Sequence, residues 1–178
     1  MAVDALLQGD NLDYILIGSG DGDFLRLVRA LQNKGKRVDV LAFDNVSNEL
    51  KREADYYFPG STIPKLLPIP NNAQQTRVRG VLDYVNEEKG YGFISIRTGY
   101  QVTDIQSQIF CHITNVREQG SSISNERFAV LANKNAIIEF DRIEGEKGRF
   151  QAMEAIVYQV TSWSVENALD KNPYSSRH

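Results

Sequence analysis

The chain reads as an α+β protein, with a parallel α/β half followed by an antiparallel β half. Three observations predict this. An unbroken apolar run, Tyr14-Ile15-Leu16-Ile17, leads into a glycine-rich turn, an amphipathic stretch and a second apolar run, the order that builds parallel sheets. Four of the five prolines, Pro59, Pro64, Pro68 and Pro70, then fall close together where the helical pattern stops. Beyond them lie two segments with rings at alternate positions, the period of a strand.

Length and composition set the outer bounds. A chain of 178 residues holds one domain or two small ones, and 42% hydrophobic with 24% charged residues belongs to a globular protein. No apolar run approaches the ~20 residues of a membrane span, and the N-terminus lacks a basic region and cleavage signal, so no membrane role is expected. The single cysteine, Cys111, cannot form an internal disulfide, which makes a cytoplasmic location the default.

In the first half, residues 1–8 form the end of an amphipathic helix that contains Asp4 and stops at Gly9. Tyr14 to Gly18 carries the mark of a strand buried on both faces. A helix follows from about Phe24 to Lys34, because Phe24, Leu27, Val28 and Leu31 share one face and Gly35 stops it. Arg37 to Phe43 is a second strand, Ser47 caps a helix through Ala54, and Tyr56 to Phe58 is a short third strand. The result is a βαβαβ chain with right-handed crossovers.

Residues 59–76 are expected to form a stiff, extended linker, since proline suits neither a helix interior nor a central strand. The second domain starts near Arg77. In Lys89-Gly90-Tyr91-Gly92-Phe93-Ile94, Tyr91 and Phe93 share one face, with Gly92 and Ile94 on the other. In Ile109-Phe110-Cys111-His112-Ile113, Phe110 and His112 share a face opposite Ile109 and Cys111. If the two segments pair as antiparallel neighbours, four rings gather outside and the aliphatic residues turn inward. A base can stack on such a surface whatever its identity, so single strands would bind with little sequence preference. Ordinary core aromatics are the plain alternative; the glycines between the rings and the aliphatic inward positions weigh against it. The segments around Thr98–Gln108 and Thr114–Lys134 read as long loops, with Phe128 able to add a ring. In residues 161–178, Trp163, Val165 and Leu169 are expected to dock on one of the domains.

With Gly80-Val-Leu-Asp-Tyr84 and a closing strand near Gln151-Ala-Met-Glu-Ala-Ile156, this half resembles a cold-shock domain, a five-stranded antiparallel OB-type barrel that binds single-stranded RNA or DNA. The resemblance implies a domain at 77–160 that holds single-stranded RNA on Tyr84, Tyr91, Phe93, Phe110 and His112, with Lys89 near the backbone. Whether DNA is also taken stays open. The sequence departs from the family at Ile113, where a third aromatic is usual, at Asp83, where lysine is common, and at Tyr84, where tryptophan is usual. These changes are expected to lower affinity and leave the fold intact.

The turn Ser19-Gly20-Asp21-Gly22-Asp23-Phe24 lies just past the end of a strand, where open α/β proteins place their chemistry. A glycine-rich turn there usually cradles phosphate, and two carboxylates would repel it. Mg²⁺ or Mn²⁺ held by Asp21 and Asp23 removes the conflict, because hard cations take oxygen ligands and activate water. Helix capping is the other explanation, although one aspartate would suffice for it. This turn, with Lys36 to Phe43, Ser47-Asn-Glu-Leu50 and Ala54-Asp55, resembles the second half of an NYN domain of the LabA-like, PIN-like nucleases. The resemblance covers residues 1–58 and implies a metal-dependent ribonuclease whose acidic loop is Asp21 and Asp23, with Asp4 matching the preceding acidic helix. An essential aspartate of the family's first strand is missing, as is an acid before residue 1. Three strands are also few for a parallel sheet, so the start is truncated, or a partner chain or second copy completes the sheet, or the domain is a remnant. An alternative is a non-catalytic RNA-binding regulator whose α/β half is an interaction platform.

Charge constrains how RNA would be held. Residues 1–76 contain 8 Lys+Arg and 10 Asp+Glu, residues 77–160 contain 10 and 11, and the tail contains 2 and 2. Neither half is basic, so stacking at about 1–3 kcal/mol per base has to supply the affinity. Four rings that do not add fully give a dissociation constant of about micromolar or weaker.

Overall fold

A computed structural model describes residues 9–43, 46–70, 76–145 and 148–159. The chain divides into two compact units between Gly60 and Ser61.

In the first unit, strand β1 (Tyr14–Ile17) is followed by a single 3-10 turn, Gly22–Phe24, and helix α1 (Leu25–Asn33). Leu27, Val28 and Leu31 recur at helical spacing and are all buried. The helix ends because Gly35 takes φ 76°, a left-handed conformation that glycine adopts at little cost. Strand β2 (Arg37–Ala42), helix α2 (Asn48–Glu53) and strand β3 (Tyr56–Pro59) complete the unit. Ser47 Oγ caps α2 by accepting from Leu50 N at 3.4 Å. The three strands run parallel in the order β1-β2-β3, with Leu16 beside Asp39 and Asp39 beside Tyr56.

Both helices lie on one face of this sheet, where Leu27, Val28, Leu31 and Leu50 pack on Ile17, Val38 and Val40. Each such side chain contributes about 1.5–3 kcal/mol when fully buried. The expectation that the first strand is buried on both faces fails. Tyr14 and Leu16 point to the other face and are about half exposed, at 49% and 48%. Asp39 shares that face but is buried, accepting from Tyr14 Oη at 3.1 Å and Arg37 Nε at 3.1 Å. The helix expected at residues 1–8, Asp4 included, lies outside the described residues.

The second unit is a closed barrel of β4 (Arg77–Asn86), β5 (Tyr91–Arg97), β6 (Ile105–His112), β9 (Ile137–Glu144) and β10 (Phe150–Val157). Neighbours in the order β6-β5-β4-β9-β10 are antiparallel, and one parallel pairing, Gln151 with Phe110, closes the ring. This is an OB-type fold, and its core is built from the inward positions of the alternating strands. Leu82, Ile94, Ile109, Cys111, Ile138 and Phe140 are all buried there.

Three stretches differ from expectation. The loop expected over Thr98–Gln108 is shorter, because β6 already begins at Ile105. The long loop over 114–134 contains a 3-10 turn at Ile113–Asn115, short strands β7 (Val116–Glu118) and β8 (Ser121–Ser122), and helix α3 (Asn125–Asn133). Ser124 caps α3 by accepting from Arg127 N, and Arg127 anchors it through a two-bond pair with Glu118 at 2.6 and 2.8 Å. Phe128 is therefore a core residue with no exposed surface, since the helix turns it inward with Leu131 and Ala132. The third stretch is the proline-rich one. Pro59 ends β3, Gly60–Thr62 is a 3-10 turn, and residues 61–70 belong to the second unit, with Ile63 and Leu67 buried. Arg79 holds this stretch, donating from Nη1 to the Leu67 carbonyl and from Nη2 to that of Pro68, each at 3.3 Å. The tail residues Trp163, Val165 and Leu169 lie outside the described residues. Among those described, no helix is long and apolar enough to cross a membrane.

Candidate nucleic-acid interface

The outer face of β4, β5 and β6 gathers the rings. Register sets Phe93 opposite Phe110 and Tyr91 opposite His112, while Tyr84 on β4 pairs with Phe93. Ring centroids are 6.1 Å apart for Tyr84–Phe93, 5.8 Å for Tyr91–Phe93, 5.8 Å for Tyr91–Phe110 and 6.3 Å for Phe93–Phe110. Two of these pairs are stacked and two are edge-on, so the four rings support one another as a continuous patch. Tyr84 is 50% exposed and Phe110 38%, with Tyr91 and Phe93 partly exposed between them.

The backbone beneath is closely fitted. Gly92 sits under the patch on β5, and a Cβ there would overlap the Tyr84 carbonyl oxygen. Glycine is thus required for β4 and β5 to approach at this point. His112 lies at the end of the patch, where its Nδ1 is 2.8 Å from Thr114 Oγ1 and also accepts from Thr114 N, capping the 3-10 turn. Lys89 is exposed in the turn between β4 and β5, its backbone N–H donating to Asn86 Oδ1 at 2.9 Å. Of the residues expected to hold RNA, Tyr84, Tyr91, Phe93 and Phe110 form the patch, and His112 and Lys89 border it. Phe128 is excluded by its burial.

Asp83 lies at a bulge in β4, between Leu82 and Tyr84. Desolvation raises its carboxyl above the ordinary value of 3.8, and a hydrogen bond from Ser95 acts in the opposite direction. Cys111 lies on the inner side of β6, and burial pushes its thiol up to about 12.

Beside the patch is a feature not anticipated from the sequence: a cavity of about 640 Å³ bordered by Phe93, Phe110, Gln106, Gln108, Phe150 and Gln151. Its signal was present in the alternation of Gln106 and Gln108 along a strand that carries Phe110. Only barrel closure brings Gln151 alongside them.

The acidic turn is firmly built. Asp21 caps the 3-10 turn, its Oδ1 accepting from Asp23 N at 2.9 Å, and Ser47 N donates to the Gly20 carbonyl at 3.0 Å. Capping accounts for Asp21, whereas the exposed Asp23 carboxylate takes no part in it. Asp39 is committed to Tyr14 and Arg37. Among the described residues no group of three or more His, Cys, Asp or Glu side chains is placed to hold a metal.

No curated protein matches this chain in sequence. The family model for the NYN domain matches residues 1–64, which relates the first unit to a nuclease-like, nucleic-acid-related function. Nucleases of that type are typically dependent on a divalent metal.

Proposed function

With an NYN-type unit preceding an OB-type barrel, we propose that this chain is a single-stranded RNA-binding protein whose cold-shock-like barrel grips the strand on the outer face of β4, β5 and β6. One observation carries the reading: four rings at centroid spacings of 5.8–6.3 Å form an unbroken, solvent-reached patch on a closed sheet. Successive bases stack on Tyr84, Phe93, Tyr91 and Phe110, Lys89 faces the backbone, and His112 borders the last ring. The expected result for Phe93→Ala with Phe110→Ala is at least a tenfold loss of affinity for a short unstructured RNA, with the thermal transition retained. Unchanged affinity in a folded double variant would refute the stacking surface.

The NYN match favours a second activity on the same strand. In this reading the barrel raises the local concentration of RNA for the first unit. Asp21 and Asp23 contribute to a Mg²⁺ or Mn²⁺ site there, and Asp4 is a further catalytic candidate on the family resemblance alone. The measurement is Mn²⁺-dependent cleavage of unstructured RNA by the chain and by its Asp21→Asn, Asp23→Asn variant. Cleavage that needs both acids supports a ribonuclease. No acid-dependent cleavage leaves a non-catalytic RNA-binding regulator.

A further inference from the structure

The cavity at the edge of the ring patch is built unlike the patch itself. Along β5 and β6 the pairing passes from Ile94–Ile109 to Ile96–Gln106, so β6 carries an extra residue between them. Gln108 lies within that bulge at φ 67°, a left-handed conformation that glutamine rarely adopts. A bulge redirects side chains, and this one sits where Gln108 helps to line the cavity. Across the barrel seam, Gln151 pairs with Phe110 and contributes a second carboxamide. A third comes from Gln106, whose Oε1 accepts from Arg142 Nη1 at 3.0 Å. Arg142 also lies over the Phe150 ring, 4.7 Å from its centroid, which braces that wall.

Stacking surfaces accept every base; carboxamides discriminate, because each presents one donor and one acceptor side by side. That pair matches the N6 amine and N7 of adenine, whereas guanine, with two acceptors there, suits a guanidinium. Arg142 is engaged by Gln106 and Phe150, and the guanidinium on the cavity's own lining is that of Arg149, which makes guanine the competing base. A volume of about 640 Å³ lies well within the ~300–1,000 Å³ of ligand clefts. Its walls include Phe93 and Phe110, so a strand leaving the patch meets it without a gap.

We propose that this cavity is an adenine-selective subsite, in which Gln108 and Gln151 read the edge of one base that continues the stack beyond Phe93 and Phe110. The inference rests on the single-strand reading above and adds sequence preference to it. The test measures binding of the full chain to heptauridine and to two sets of seven heptamers, each heptamer with one uridine replaced by adenosine or by guanosine. At one position adenosine should tighten binding at least fivefold. Gln108→Gly, which suits the left-handed backbone, and Gln151→Met, which keeps the length without the amide, should each abolish that gain and leave heptauridine binding within twofold. Equal binding of every strand by the wild type, or a gain with guanosine as large as with adenosine, would overturn the subsite alone. So would a preference that survives both variants. Binding of none of them would overturn the single-strand reading and the subsite with it.

Discussion

Asp83 shows how one residue can set the affinity of this surface. Its folded-state value is raised, so its stabilising contribution is complete below the unfolded value and is lost as pH rises through the folded one. Its carboxyl group lies beside Tyr84 at the edge of the rings, where its charged form would repel the strand proposed above. Asp83→Asn should therefore strengthen RNA binding about threefold at pH 7, as expected for a weakly screened charge in partial contact with solvent. It should also flatten the pH dependence of affinity on the acid side of neutrality, where the raised carboxyl titrates. Titrating binding in both proteins at fixed ionic strength checks this; a parallel pH profile in the variant would show that another group is responsible.

At the scale of elements, what could be read in advance was whatever depends on local period. Tyr91 and Phe93 outward with Gly92 and Ile94 inward follow from alternation alone, as do Leu27, Val28 and Leu31 on one face of α1. Coverage is not local. The run at β1 is equally apolar at Ile15 and Leu16, and only the position of both helices on one side exposes the latter. Helix α3 was legible in principle from Ser124 as a cap and from Phe128, Leu131 and Ala132 at helical spacing, but the polar approach to it resembles a loop. The proline-rich stretch misled for a similar reason, because prolines report stiffness and not what Ile63 and Leu67 pack against. Arg79 is what fastens that stretch. It donates to Glu139 Oε2 at 2.8 Å, reaches two carbonyls of the stretch and lies 4.0 Å from the centroid of the Tyr158 ring. Arg79→Met should cost about 2 kcal/mol, less than a fully orphaned buried charge because Arg77 still pairs with Glu139 at 2.9 Å. Hydrogen exchange should accelerate across residues 61–69 and much less in β5 and β6. An unchanged exchange pattern would mean the stretch is held by its apolar residues alone.

Taken as a whole molecule, the protein carries a net charge of −3, against the trend for proteins that bind a polyanion. In the proposed reading, stacking on the ring patch supplies the affinity, and that fixes what salt should do. With Lys89 as the one cation set beside the strand's backbone, affinity should fall with salt at a logarithmic slope of about −0.7, shallow beside that of a binder built on a basic stripe. A salt titration with heptauridine measures it directly, and a slope steeper than about −4 would mean that cations outside the described patch dominate.

Cys111 lies on the underside of the strand that carries Phe110 and His112, fully enclosed and with its thiol held protonated far above neutrality. A reagent in solution can reach that sulfur only when β6 lifts from its neighbours. The lone thiol is thus a clock for spontaneous breathing of the barrel, and a bound strand that clamps β4, β5 and β6 together should slow it in proportion to occupancy.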